Sequence, residues 1–258
     1  MNQDTMRLQI TTILLLCLVS GVVYGIEHAA RPERDSNGSA LARLGHVFPR
    51  STIEGTLSLD GQMTIGNLPF SAQTSGDTIS VTVQGPFGMM AGVMYATADT
   101  FVVVNYLSRE VLVGHPDAKS VASVSPIPLT LTDIRAFMRG SLPGDLNRFQ
   151  RGAPRSDTKV LFVSRDSSTT EYALVDTMAS ILTQYQRKDR QGATLLNLVL
   201  GDIRAVASVN VAYAVDVDLN DKTQAVRFRY DAVAPSITTA AIAMPEAPSS
   251  FTRRVYDR

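Results

Sequence analysis

From Arg50 onward the chain alternates apolar and polar residues with a period of two, the spacing of a strand with one covered face. Ile53, Leu57 and Leu59 interleave with Thr52, Glu54, Thr56 and Ser58, and Asp60-Gly61 then supplies a hairpin turn into residues 62–66. Leu68, Phe70 and Ala72 alternate with Ser71 and Gln73. After the turn Ser75-Gly76-Asp77, Ile79, Val81 and Val83 alternate with Ser80, Thr82 and Gln84. Such patterning predicts an antiparallel sheet, unlike the continuously apolar strands of a parallel α/β core. Residues 93–97, 101–107 and 111–114 continue the meander, with 101–107 apolar on both faces and so expected centrally, against a second layer. Strands resume at 160–163, 171–175, 181–186 and 194–200. A long alternating strand follows at 206–218, with Val209, Val211, Tyr213, Val215 and Val217 on one face. Asn220-Asp221-Lys222 turns the chain into Val226, Phe228 and Tyr230, and residues 237–244 are expected to complete a sheet of roughly ten strands or more.

Two stretches break the period. Gly85-Pro86-Phe87-Gly88-Met89-Met90-Ala91-Gly92 sets three large apolar side chains among glycines, so it reads either as a plug that completes the core or as a lip that touches an apolar ligand. It has neither GxGxxG nor GK[ST], and no helix pattern follows, so it is not a phosphate loop. The second is 132–139, where Thr132 or Asp133 caps a short helix that ends at Gly140. Ile134, Phe137 and Met138 share one face of it, and the apolar side of the sheet is the expected partner.

Upstream of the sheet the run 10–23 is hydrophobic, follows the single basic residue Arg7, and is short for a bilayer-spanning helix, which needs roughly 20 residues. It reads as an export segment. Three fates stay open: cleavage near Gly25, lipid attachment at Cys17, or retention as an N-terminal anchor. The expected organisation is therefore an export signal or anchor over 1–25 and a charged, flexible tether over 26–49. A β domain follows over 50–244, and a frayed Pro-, Ser- and Arg-containing tail over 245–258.

Composition narrows the function. Lys plus Arg equals Asp plus Glu at 24 each, and there is no tryptophan, so nothing draws the chain to nucleic acid. Cys17 is the single cysteine, which excludes a disulfide framework. The three histidines His28, His46 and His115 have no metal-ligand spacing, and no GxSxG elbow is present. Asp216 and Asp218 share the polar face of a strand and read as solvated charges. No metal or cofactor is called for.

The blocks Gly55-Thr56-Leu57-Ser58-Leu59, then Ile79 to Gly88, then Thr97 to Asn105, and Leu131 to Gly140 together resemble the bacterial outer-membrane lipoprotein receptor and carrier family, LolB/LolA-like, and especially its uncharacterised lipoprotein relatives. The resemblance implies a mostly β fold, a strongly curved antiparallel open half-barrel with a short helical lid, holding acyl chains in its hollow. It implies a non-catalytic, monomeric, membrane-associated protein of the periplasm or the periplasmic face of the outer membrane. Its partners would be lipid or lipoprotein acyl chains. The expected lipid contacts are Phe87, Met89 and Met90 as an apolar rim, Phe101 on the adjoining strand, and Ile134, Phe137 and Met138 on the helix. Two alternatives stand beside this: a structural envelope lipoprotein whose hollow is filled by its own side chains, and an envelope hydrolase acting on lipid or glycan.

Overall fold

The computed structural model describes residues 41, 44, 48, 50–61, 64–116, 142, 146–221, 223–236 and 240–256. Among the described residues the alternation becomes fourteen strands in one sheet. The first six are β1 (Arg50–Asp60), β2 (Ile65–Ser75), β3 (Thr78–Gln84), β4 (Met90–Ala96), β5 (Phe101–Asn105) and β6 (Glu110–Gly114). The next seven are β7 (Gln150–Pro154), β8 (Lys159–Arg165), β9 (Thr169–Asp176), β10 (Ile181–Asp189), β11 (Thr194–Val206), β12 (Val209–Leu219) and β13 (Gln224–Pro235), and β14 (Thr252–Tyr256) is the last.

The strand order is β14-β6-β5-β4-β3-β2-β1-β13-β12-β11-β10-β9-β8-β7. Two meanders, β1 to β6 and β7 to β13, therefore meet at one seam, where β1 pairs antiparallel with β13. Gly55 sits at a register shift in this seam, and a Cβ there would lie 2.2 Å from the Arg229 carbonyl oxygen. Only glycine lets the two backbones approach so closely.

One face of the sheet carries the main core. Ile53 and Leu57 of β1, Phe70 of β2, Met94 of β4, Phe162 of β8, Tyr185 of β10 and Phe228 of β13 are all buried on it. Leu41, Leu44, Phe48, Leu142, Leu146 and Phe149 pack against this face from outside the strands. The opposite face is polar over most of its extent. An ionic ladder crosses β12 and β13, with Arg227 on Asp216 and Asp218, and Arg229 on Asp216.

The expected strongly curved half-barrel does not form. The sheet is neither closed nor strongly curled, and β14 and β7 end it on separate edges. Alternation decides which face of a sheet is buried; bend comes from bulges and coiling, which leave no mark in a period of two. Nor is a helical lid seen: among the described residues no helix of seven residues or more is found. The turns Pro86–Gly88 and Leu146–Arg148 are three residues each. The helix expected over 132–139 lies outside the described residues, as does the hydrophobic run 10–23. Among the described residues no helix is long and apolar enough to cross a membrane.

Three local expectations also change. Strand β5 is buried on both faces as expected, but it stands third from an edge instead of centrally. Its second face carries Val102 and Val104, which with Val111 are packed by Tyr95, Tyr106, Val113, Ala247 and Phe251. Residues 252–256, read from composition as part of a frayed tail, form β14 and pair parallel with β6, tied by Arg254 to Glu110 at 2.7 Å. Residues 240–248, by contrast, contain no strand, although 237–244 reads as one from its apolar content.

Candidate functional site

The site has two parts, an apolar loop and an aromatic patch on the core face. The loop joins β3 to β4. Gly85 N–H donates to the Met89 carbonyl at 2.7 Å, Gly88 N–H to Gly85 at 3.3 Å and Met89 N–H to Pro86 at 3.4 Å, which closes a tight reversal. Phe87 sits at its tip with φ 62° and ψ 21° and is 99% exposed. For a bulky L-residue the left-handed region costs about 1–2 kcal/mol, so the loop holds a large apolar ring in solvent and in strained backbone at once. Met89 and Met90 follow, 57% and 46% exposed. The rim expected from sequence is therefore a protruding knuckle of three large apolar side chains, and the plug reading of the same residues is excluded.

Phe101 lies apart from that rim. It is 1% exposed, part of the main core, and its ring fills the space where a Cβ on Gly114 would stand, 2.8 Å away. Ile134, Phe137, Met138 and Cys17 lie outside the described residues.

The aromatic patch is built around the seam. Gly55 stands opposite Phe70 on one side and Tyr230 on the other, and with no side chain between them the two rings meet edge-on at 6.0 Å. Phe228 meets Phe70 at 5.9 Å and Tyr213 meets Tyr230 at 6.4 Å, both T-shaped, the preferred arrangement of ring quadrupoles. The Tyr230 hydroxyl is buried in this hydrocarbon with no hydrogen-bond partner among the described residues. Burial drives its phenol above the ordinary tyrosine range, so it is a neutral donor at any physiological pH. Within the aromatic patch it is a buried donor that asks for an acceptor. Sequence reasoning placed Tyr230 on the inward face of its strand, but a missing partner leaves no sequence signal.

A polar corner closes the same face at the β8–β10 end. Glu171 is buried between Arg148, at 2.6 Å, and Arg187, at 3.3 Å, and Arg187 also donates to the Tyr185 hydroxyl at 3.1 Å. Burial raises the Tyr185 phenol, with Arg187 opposing. These groups pair with one another at this corner, the arrangement of a structural ion-pair cluster. Among the described residues no group of three or more His, Cys, Asp or Glu is placed to hold a metal ion.

The fold is shared with several solved structures. A DUF1329 family protein from Desulfovibrio piger matches with a TM-score of 0.57 and 9% identity over 80% of this chain and 95% of that one. A LolA superfamily protein from Nitrosomonas europaea gives 0.51 and 8% over 78% and 94%. The fold is LolA-like. A protein domain from Vibrio parahaemolyticus described as outer membrane lipoprotein-sorting gives 0.52 and 11%, over 78% of this chain and 91% of that one. No protein-family model matches the sequence, and no curated protein does. The likeness expected from residues 55–144 thus holds at the level of fold.

Proposed function

We propose that this LolA-like protein is a non-catalytic envelope protein that binds lipid acyl chains and assists the insertion of lipoproteins or lipids at the outer membrane, from the periplasm or its membrane face. The observation that carries this reading is the loop. A monomeric protein gains nothing in its own core from Phe87, Met89 and Met90 held in water, whereas a bilayer or an acyl chain rewards each buried methylene with about 0.8 kcal/mol. The aromatic face supports it, because the Tyr230 hydroxyl can donate to an ester or amide carbonyl of a chain laid against Phe70 and Phe228. The LolA-like fold supports a lipid-associated role in the envelope generally.

One observation favours a second reading, a structural envelope protein with a self-filled core. The face that would receive acyl chains is fully buried: Met94, Phe101 and Leu112 are packed within the main cluster. On the first reading the segments packed on that face must move aside when a chain enters.

Phe87→Asn separates the two, since asparagine accepts the left-handed conformation at little cost. The variant is expected to unfold at the same temperature as the parent or slightly higher. It should lose most of its co-flotation with phosphatidylethanolamine–phosphatidylglycerol vesicles and its uptake of a palmitoylated lipopeptide, read by native mass spectrometry. A parent protein that neither floats with vesicles nor takes up lipopeptide sinks the carrier reading and leaves the structural one.

A further inference from the structure

The polar face of the sheet carries a feature that the acyl-chain reading does not use. Strands β8, β9 and β10 send Phe162, Ala173 and Tyr185 into the core, and the alternate residues Leu161, Tyr172, Leu174, Gln184, Gln186 and Lys188 line a cavity of about 480 Å³ on the opposite side. Register explains how it is laid out. Leu161 stands opposite Leu174 and Leu174 opposite Gln184, while Tyr172 stands opposite Gln186 one step further along, with Lys188 beyond. A register shift between Leu182 and Gln184 breaks the flatness of β10 beside this row, as a bulge bends the strand that carries it.

The charge is one-sided. Arg155 reaches the cavity from the β7–β8 turn, where its own N–H donates to the Lys159 carbonyl at 2.8 Å. At the other end the Lys188 ammonium lies 6.0 Å from the centroid of the Tyr172 ring. No carboxylate lines the cavity, and neither cation makes an ion pair among the described residues. Nearby acids are engaged elsewhere: Glu171 faces the core with Arg148 and Arg187, Asp176 accepts from the Met178 and Ala179 backbone, and Asp189 accepts from Ala193. On the same face of β12 and β13 every cation described above has its aspartate, so the lack of compensation is local to the groove.

We infer that this groove binds a single-chain amphiphile with an anionic head. The leucines and the Tyr172 ring give an apolar floor that an inorganic ion does not use. Lys188 with the Gln186 amide at one end, and Arg155 at the other, each offer a contact for an anionic head that a neutral detergent does not use. The volume is that of a small-ligand site, which ordinarily spans about 300–1,000 Å³. The groove lies on the other side of the sheet from Phe70 and Tyr230, so it is a second site, independent of the acyl-chain reading.

Isothermal titration of the full chain with octyl phosphate below its micellar concentration tests this, against octyl glucoside as the tail without the charge and inorganic phosphate as the charge without the tail. Octyl phosphate is expected to bind at least about tenfold more tightly than either. The double variant Arg155→Gln, Lys188→Gln, in which Arg155 is exposed, Lys188 half-buried and glutamine keeps most of each stem, should lose that advantage while its circular dichroism spectrum stays that of the parent. Leu174→Ser should weaken octyl phosphate and leave inorganic phosphate unaffected. Equal binding of octyl glucoside, equal binding of inorganic phosphate, or full affinity in the double variant would each overturn the inference, the last by placing the ligand on the other face.

Discussion

Tyr230 concentrates the tension between stability and binding in one atom. A buried hydroxyl without an acceptor forfeits its hydration and receives nothing back, a loss of about 1–3 kcal/mol. Tyr230→Phe keeps the ring contacts with Phe70 and Tyr213 and removes only that oxygen. The ligand-free variant should therefore be more stable than the parent by about 1 kcal/mol, read as a higher midpoint in urea, while its uptake of lipopeptide falls. A lower midpoint would mean that the hydroxyl has an acceptor. Residues also show how far sequence reaches. The loop was legible as an irregularity, since Gly85, Gly88 and Gly92 bracket Phe87, Met89 and Met90. Whether those side chains point in or out was not, because methionine and phenylalanine suit either place; only the positive φ of Phe87 and its exposure decide. Phe101 shows the converse, for a core residue and a cavity-lining residue obey the same period.

Among the elements, strands with full alternation were readable and the two edge strands were not. In β7, Gln150-Arg151-Gly152-Ala153-Pro154, there is no apolar row at all, which suits an edge whose Gly and Pro discourage further pairing. β14 hides in a charged stretch because only Val255 and Tyr256 carry strand character. It is held instead by pairing to β6, by Arg254 on Glu110, and by the anchor just before it, Phe251 against the Tyr106 ring at 5.6 Å. The hairpin between β11 and β12 was missed for a related reason: Ala207 and Ser208 both take positive φ without the Asn or Gly that normally announces such a turn. Phe251→Ala should loosen β14 and bare the second face of β5. Amide exchange is expected to accelerate at Val111, Leu112 and Val113 while the amides of the β1–β13 seam keep their protection. Equal acceleration in both places would show that the edge and the seam open together.

For the whole molecule the decisive feature is that seam. Each meander is local, but neither covers its core alone, and they share a core through β1 and β13. Gly55→Ala places a methyl group against the Arg229 carbonyl, a clash with backbone that no rotamer relieves. It is expected to cost about 2–3 kcal/mol and to lower the unfolding temperature of both meanders together, which tyrosine fluorescence and far-ultraviolet circular dichroism would report as coincident transitions. Global architecture was legible as far as one apolar face and antiparallel pairing. The degree of bend was not legible, since a weakly curled sheet and a half-barrel share one pattern of inward residues, and the register shift at Leu182/Gln184 follows no residue signature.

The parallel pairing of β14 with β6 has a temporal side. Arg254 and Glu110 are 144 positions apart, so at roughly 5–20 residues per second of synthesis the β6 edge waits roughly 7 to 29 s for the strand that covers it. During that interval a row of unpaired amides and carbonyls, backed by Val111 and Leu112, is open to any other extended chain. For that interval a nascent copy of the same chain, offering the same strand sequences, is the nearest wrong partner for the edge.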